Sequence, residues 1–276
     1  MPRLALLCAI AMTFFAANSL LTRAALASGA IGAIDFALVR LVAGAVTLCG
    51  LVLVQRVPVP VFRRRNIPSA FGLTLYMLGF SLAYVALEAG VGALILFTGV
   101  QFTMFSGAAL KGERVPVLRW LGMALALGGL AVVFLPGAQV PAPTGVGLML
   151  LAALGWGIYS LAGRGSATPL EDTAANFLIG SVVVFAISLA VVSDVPATMP
   201  GMGLAILSGA VTSGIGYAIW YSLLPHLKST RAAVVQLSAP VIALFGGVIL
   251  LGEPFTLSLA LATVLVIGGV LIALRI

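Results

Sequence analysis

A chain of 276 residues with 62% hydrophobic and 8% charged side chains has too few polar groups to cover a water-soluble domain, which carries roughly 25% charge. This composition, with a mean hydropathy of +1.24, excludes a soluble globular protein, a disordered chain and a nucleic-acid-binding protein, even though the net charge is +7. We therefore expect an integral membrane protein whose basic residues set its orientation in the bilayer.

Ten apolar segments are each long enough to cross a hydrocarbon core of about 30 Å, which takes roughly 20 residues of helix. Because the segments are apolar on all sides and the connections between them are short, they indicate helices rather than the strands of a barrel. The sequence thus predicts an all-α integral membrane protein with ten transmembrane helices. The predicted spans are 4–21, 34–54, 69–87, 92–110, 117–135, 145–162, 173–192, 202–224, 231–251 and 256–274.

The first span has the form of a signal peptide, because Arg3 precedes the apolar run and Ala25-Leu26-Ala27 resembles a cleavage site. We interpret it as a retained span, since the charge distribution and the internal repeat both require it. Of the 14 Lys and Arg residues, only Arg23 and Arg40 fall on the side of the membrane opposite the N-terminus. The positive-inside rule therefore predicts that both termini are cytoplasmic.

One sequence pattern occurs twice, about 140 residues apart. Gly112-Glu113 corresponds to Gly252-Glu253, and the series Phe15, Ser19 and Arg23 corresponds to Trp156, Ser160 and Arg164. Each copy contains five spans, and an odd number of spans makes the second copy enter the membrane from the opposite side. Residues 1–136 and 144–276 are therefore predicted to form two inverted-topology five-helix repeats, with a binding site between them near the membrane midplane.

Several motifs resemble those of the EamA-type family of the drug/metabolite transporter superfamily. They are Arg40-Leu-Val-Ala-Gly-Ala in the second span, Gln236-Leu-Ser-Ala-Pro240 in the ninth, and Gly-Glu after the fourth and ninth spans. The resemblance covers the whole chain and implies a ten-helix secondary transporter of the bacterial inner membrane that exports small metabolites by alternating access. The aromatic residues resemble those of neutral or aromatic amino-acid exporters. The two repeats differ at two positions. Val100 in the first repeat corresponds to Pro240 in the second, and Asn176 in the second corresponds to Arg40 in the first.

Motifs of other functional classes are absent from the sequence. It has no P-loop, no zinc-protease motif, no Cys/His cluster and no nucleophile elbow, so we expect no enzyme, no cofactor and no metal site. The expected partners are a small-molecule substrate and the lipid bilayer, and a monomer suffices. No Asp or Glu lies in the middle of a predicted span, which favours facilitated diffusion or weak coupling over proton-driven transport. The alternatives are a multidrug or other metabolite exporter of the same fold and, less favoured, a channel.

Arg40 is the charge that lies deepest in a predicted span. A cation in a membrane is costly and faces a cavity or a partner. Arg40 therefore either holds a substrate carboxylate or pairs with Asp35, Glu88 or helix carbonyls. Pro240 interrupts the ninth span and frees the carbonyl of Gln236, which predicts either a hinge or a static kink.

The other candidate residues are aromatic and amide side chains within the spans. Rings supply the apolar wall of a small-molecule cavity, and amides supply its few hydrogen bonds, although either can also pack between helices. The predicted substrate-binding residues are Asn18, Arg40, Tyr76, Phe80, Gln101, Trp156, Tyr159 and Gln236.

Overall fold

The computed structural model describes residues 2–56, 63–110, 116–132, 141–163, 166–191, 193–223, 226–227 and 235–273. All regular structure in these residues is helical, which confirms the all-α prediction. The helices are α1 (Pro2–Ala27), α2 (Ala33–Val54), α3 (Ile67–Tyr84), α4 (Ala89–Leu110), α5 (Val117–Val132), α6 (Pro143–Ala162), α7 (Pro169–Ala190), α8 (Met199–Leu223), α9 (Ser238–Leu251) and α10 (Leu257–Ala273).

Seven helices, α1 to α4 and α6 to α8, are long and apolar enough to cross a membrane. The described parts of α5, α9 and α10 are also apolar but have 16, 14 and 17 residues, whereas a crossing takes roughly 20. Parts of these three predicted spans, 133–135, 231–234 and 274, lie outside the described residues. The helices fit a multi-pass membrane protein, while the ten spans, the two repeats and the topology stay predictions.

The outer surface of the bundle carries many large apolar side chains, unlike that of a soluble protein. Val54 and Leu110 on the outside of the bundle are 82% and 89% exposed, whereas Asn18, Arg40 and Asn176 are buried. Lipid solvates apolar side chains and offers no hydrogen bonds, so polar groups turn inward. The buried polar side chains therefore make the interior of the bundle the candidate functional region.

The helices pack in pairs that relate the first five to the last five. Helix α2 packs on α7, α4 on α9 and α5 on α10, so that each of these three helices contacts the one five places later. The contact of α3 with α6 has a counterpart in that of α8 with α1, and the contact of α4 with α6 has one in that of α9 with α1. These contacts map onto one another when α1–α5 are exchanged with α6–α10.

Helices α3 and α6 come close together because glycines face each other. A Cβ atom on Gly72 would lie 2.6 Å from the backbone oxygen of Gly155, and one on Gly155 would lie 2.5 Å from the backbone nitrogen of Tyr76. Neither position accepts a side chain, which is a common arrangement between membrane helices. The close approach brings Tyr76 beside Trp156, with ring centroids 4.9 Å apart.

Candidate functional site

Arg40 lies two turns into α2 and is completely buried. Its Nε donates a hydrogen bond to Ser213 Oγ at 3.1 Å, and its Nη2 donates to the Tyr76 hydroxyl at 3.2 Å. Its Nη1 has no hydrogen-bond partner among the described residues. The ion pairs found in that part of the chain are Arg23–Glu253 and Arg63–Asp172, so neither Asp35 nor Glu88 neutralises Arg40 there.

Aromatic rings cover the faces of the Arg40 guanidinium. Its Cζ lies 4.9 Å from the ring centroid of Phe80 and 5.5 Å from that of Tyr76. A desolvated cation–π contact contributes on the order of 2 kcal/mol, but it leaves the positive charge uncompensated. The guanidinium is thus held by uncharged groups, with one nitrogen still able to donate.

The Asn18 amide connects α1 to α8. Its Oδ1 accepts hydrogen bonds from Ser208 at 2.8 Å, Thr212 at 2.7 Å and Ser213 at 3.2 Å. An amide oxygen has two lone pairs, so these three hydroxyls use its full accepting capacity. A ligand at Asn18 would therefore meet its Nδ2 rather than its oxygen.

The three hydroxyls lie in the π-helical middle of α8, Ser208–Ile215. Gly209 in this stretch packs against the backbone of Arg40, where a Cβ atom would overlap the Arg40 carbonyl oxygen. The hydroxyl of Ser213, in the same stretch, accepts from Arg40 and donates to Asn18 at once. Such π segments recur at functional sites.

A small central cavity, about 20 Å³, lies where α1, α3, α4, α6, α8 and the start of α9 meet. That volume holds about one water molecule. Tyr76 and Phe80, which contact Arg40, form part of its wall. The cavity is lined by Phe15, Asn18, Tyr76, Phe80, Leu96, Phe97, Val100, Trp156, Tyr217 and Gln236.

Trp156 is the centre of the ring cluster around this cavity. Its ring centroid lies 5.3 Å from those of Tyr159 and Tyr217 and 6.3 Å from that of Phe15. Phe15 and Tyr217 were not among the predicted site residues. The internal repeat was the signal that pointed to them, because Phe15 corresponds to Trp156 and Tyr217 corresponds to Phe80.

Four predicted residues do not line the central cavity. Arg40 lies behind its wall, in contact with the rings of Tyr76 and Phe80. Tyr159 lines a second cavity, and Gln101 is buried on α4 and lines neither of the two. Pro240 lies in the first turn of α9 as described, where a missing N–H breaks no helical hydrogen bond. A hinge at Pro240 stays a prediction.

The second cavity, about 170 Å³, opens between the end of α6, the start of α7 and the end of α8. We call it the inner cavity, after the cytoplasmic side on which the predicted topology places it. The Tyr159 hydroxyl accepts a hydrogen bond from Tyr221 at 2.6 Å and lies 3.0 Å from Thr173 Oγ1. The inner cavity is lined by Asn66, Ser69, Tyr159, Ala162, Gly163, Ser166, Pro169, Asp172, Thr173, Asn176 and Tyr221.

Charged side chains close the opposite end of the bundle. Both carboxylate oxygens of Glu253 accept from the Ala89 N–H, at 2.8 and 2.9 Å, and Arg23 Nε lies 3.5 Å from Glu253 Oε1. Arg23 Nη1 also donates to the carbonyl oxygens of Tyr84 and Val85, each at 3.1 Å. This outer cluster, Arg23, Glu253 and the backbone of 84–89, joins α1, α3, α4 and the connection between α9 and α10.

Glu88 lies beside the outer cluster, in the connection between α3 and α4. Partial burial raises the pKa of its carboxyl group, the negative charge of Glu253 raises that pKa further, and Arg23 opposes both effects. The two carboxylates thus compete for one guanidinium.

Comparisons with known proteins identify relatives of this chain. Residues 143–275 match a model of the EamA-like transporter family. A protein of Pseudomonas aeruginosa described as uncharacterized is 45% identical over 272 residues, covering 99% of this chain and 94% of its own length. A probable amino-acid metabolite efflux pump of Escherichia coli is 29% identical, covering 75% of this chain and 76% of its own.

Two further comparisons bear on family and fold. A probable terminal-alkyne amino-acid exporter of Streptantibioticus cattleyicolor is 26% identical, over 69% of this chain and 67% of its own length. A solved crystal structure superposes with a TM-score of 0.73, covering 99% of this chain and 96% of that one at 19% identity. That likeness shows the fold alone.

Proposed function

Because this chain belongs to the EamA-like transporter family, we propose that it exports neutral or aromatic amino acids, or similar small metabolites, from the cytoplasm. Family membership places it among membrane transporters of small molecules rather than among enzymes. The names of two relatives support this substrate class. The Escherichia coli protein is a probable amino-acid metabolite efflux pump, and the Streptantibioticus cattleyicolor protein is a probable terminal-alkyne amino-acid exporter. The bacterial sources of these relatives favour the inner membrane as its location.

The observation that carries the proposal is the uncompensated guanidinium of Arg40. An unsatisfied buried donor costs about 1–3 kcal/mol, and more when it is charged. A substrate carboxylate that binds Arg40 Nη1 relieves this cost and neutralises the charge. The adjacent rings of Phe80 and Trp156 then offer an apolar surface to the substrate side chain.

Alternating access is the mechanism that we propose, by rocking of two inverted five-helix repeats, 1–136 and 144–276, with both termini in the cytoplasm. The reciprocal contacts of α1–α5 with α6–α10 support the two repeats. The outer cluster ties the external ends together while the inner cavity is the larger of the two cavities, which supports a state closed to the outside. Substrate enters the central site from the cytoplasmic side in this state.

The dimensions of the cavities favour small metabolites over drugs. Sites for drug-sized molecules have volumes of about 300–1,000 Å³, whereas the inner cavity has about 170 Å³. A multidrug exporter of the same fold is therefore the second candidate. A channel is less favoured, because the central cavity is lined largely by aromatic rings and has room for about one water.

Counterflow in proteoliposomes tests this function. We expect unlabelled phenylalanine inside the vesicles to accelerate entry of radiolabelled phenylalanine, because a carrier returns loaded faster than empty. Arg40→Gln should lower this flux tenfold or more, since the glutamine amide offers no charge to the carboxylate. Size-exclusion chromatography controls for folding of the variant. The proposal would be refuted if folded wild-type protein transported neither phenylalanine nor alanine faster than empty vesicles do.

A further inference from the structure

The inner cavity carries a group of hydrogen-bond acceptors that the central site does not use. Asp172 and Asn176 lie four residues apart on α7, so they share one face of the helix, with Asn176 one turn deeper. The Asp172 carboxylate accepts from Ser166 Oγ at 2.6 Å and Asn66 Nδ2 at 3.3 Å. Arg63 Nη1 lies 3.9 Å from Asp172 Oδ1.

Asn176 is the unsatisfied member of this group. It is 2% exposed, and its Oδ1 has no hydrogen-bond partner in the part of the chain that the structure describes. A buried acceptor without a donor is costly, and a ligand bearing N–H groups removes that cost. The position is also informative in the sequence, because Asn176 stands in the second repeat where Arg40 stands in the first.

We propose that the inner cavity is a loading site for the ammonium group of a primary amine, with Asn176 Oδ1 as its direct acceptor and the Asp172 carboxylate in the same wall. The inference rests on the proposed function only in that the same amino-acid substrate supplies the amine. An ammonium has three N–H donors and no acceptor, which matches a site built from carbonyl, carboxylate and hydroxyl oxygens.

The loading site leads toward the central site along α6. Tyr159 lines the inner cavity, and Trp156, less than one turn away, lines the central one. The central cavity admits about one water, so an entering substrate is held first in the larger inner cavity. The two repeats thus differ in chemistry: Arg40 receives the carboxylate end of the substrate, and Asn176 receives the ammonium end.

Equilibrium binding to the purified full-length protein in detergent tests the loading site without any transport. The probes are phenethylamine, which has the ammonium but no carboxylate, and 3-phenylpropionate, which has the carboxylate but no amine. We expect Asn176→Leu to weaken phenethylamine binding about tenfold or more, as loss of a hydrogen bond to a charged group does. Asn176→Asp should strengthen it, because a carboxylate replaces the amide oxygen.

Two controls make the result specific. Ser181→Ala lies on the same helix and removes a hydroxyl that bonds only to the Phe177 carbonyl among the contacts found there, so it should leave both probes unchanged. Binding of 3-phenylpropionate should not fall in Asn176→Leu. The proposal is overturned if wild-type protein does not bind phenethylamine, if Asn176→Asp does not strengthen its binding, or if Asn176→Leu weakens both probes equally. Failure of phenylalanine counterflow would instead count against the proposed function alone.

Discussion

Arg40 and Trp156 have different proposed roles in substrate recognition. Arg40 is held in place by Ser213, Tyr76 and the ring faces, so its position is fixed before any substrate arrives. A lysine there would keep the charge but lose the flat surface that stacks on rings and the two directed hydrogen bonds. Trp156, by contrast, is half-buried and presents ring surface to the cavity. On the proposed function, we expect the charge of Arg40 to select the substrate carboxylate and the ring area of Trp156 to select its side chain.

Trp156→Ala should weaken transport of phenylalanine more than that of alanine. Only a large side chain uses the surface of the indole, and an aromatic pair contributes about 0.5–1.5 kcal/mol beyond burial. The affinity for phenylalanine, measured as KM in proteoliposomes, should fall about two- to tenfold relative to that for alanine. Trp120→Ala is the matched control, because Trp120 on α5 is 49% exposed and distant from the cavity lining. Equal losses for the two amino acids would assign Trp156 a structural role.

The helices show which features of this molecule a sequence pattern can predict. Apolar length predicted the helical bundle, because lipid leaves a spanning segment no alternative way to satisfy its backbone. Helical spacing brought Tyr76 and Phe80 to the cavity, since residues four apart share a face. The π segment of α8 could not be read from the sequence, where Ser208 and Thr212 indicate only small residues between helices. Its register depends on contacts with Asn18 and Arg40, which lie far away in the chain.

Irregular segments hold the outer ends of the helices together. Glu253 follows Gly252, whose φ of +67° ends α9 in the left-handed conformation that glycine adopts without strain. This turn directs the Glu253 carboxylate to the first N–H of α4, where the helix dipole also favours a negative charge. The internal repeat singled out Gly252-Glu253 in the sequence, but it did not predict that the Glu253 carboxylate binds Arg23 and the N-terminus of α4.

Glu253→Gln should open the outer side of the protein. The variant loses the charge that pairs with Arg23 and binds the N-terminus of α4. A cysteine that replaces buried Thr22 on α1, in a chain with Cys8 and Cys49 changed to alanine, reports opening through its labelling by an impermeant maleimide from outside. Labelling should accelerate several-fold in Glu253→Gln, relative to a cysteine at exposed Ser28. An unchanged relative rate would show that the outer cluster does not close the transporter.

The same labelling should depend on pH through Glu88. Its raised pKa means that the closed cluster favours protonated Glu88. Protonation of Glu88 therefore stabilises the closed cluster fully below the ordinary pKa of Glu. This stabilisation is lost as pH rises through the raised pKa of Glu88. Relative labelling of the Thr22 position should increase over that range, and Glu88→Gln should remove the dependence while Arg23 and Glu253 remain in place.

At the scale of the whole molecule, the acidic side chains that the structure describes lie toward the ends of the helices. Among the described residues, Arg40 is the one charged side chain that is fully buried, and the carboxylates Asp35, Glu88, Asp172 and Glu253 lie at or beyond helix ends. Proton-coupled carriers need a group that titrates within the path. Arg40 cannot serve, because an arginine stays protonated in proteins. We therefore predict a carrier that follows the substrate gradient.

Phenylalanine flux down its own gradient should persist when the pH gradient across proteoliposomes is collapsed. The substrate is a zwitterion without net charge, so a membrane potential set by potassium and valinomycin should also leave the flux unchanged. The initial rate is measured with and without a protonophore at a fixed phenylalanine gradient, with an entrapped pH dye to confirm the collapse. Loss of phenylalanine flux on adding the protonophore would contradict this prediction. It would mean that transport requires a titrating group, and that this group is not one of the buried side chains described above.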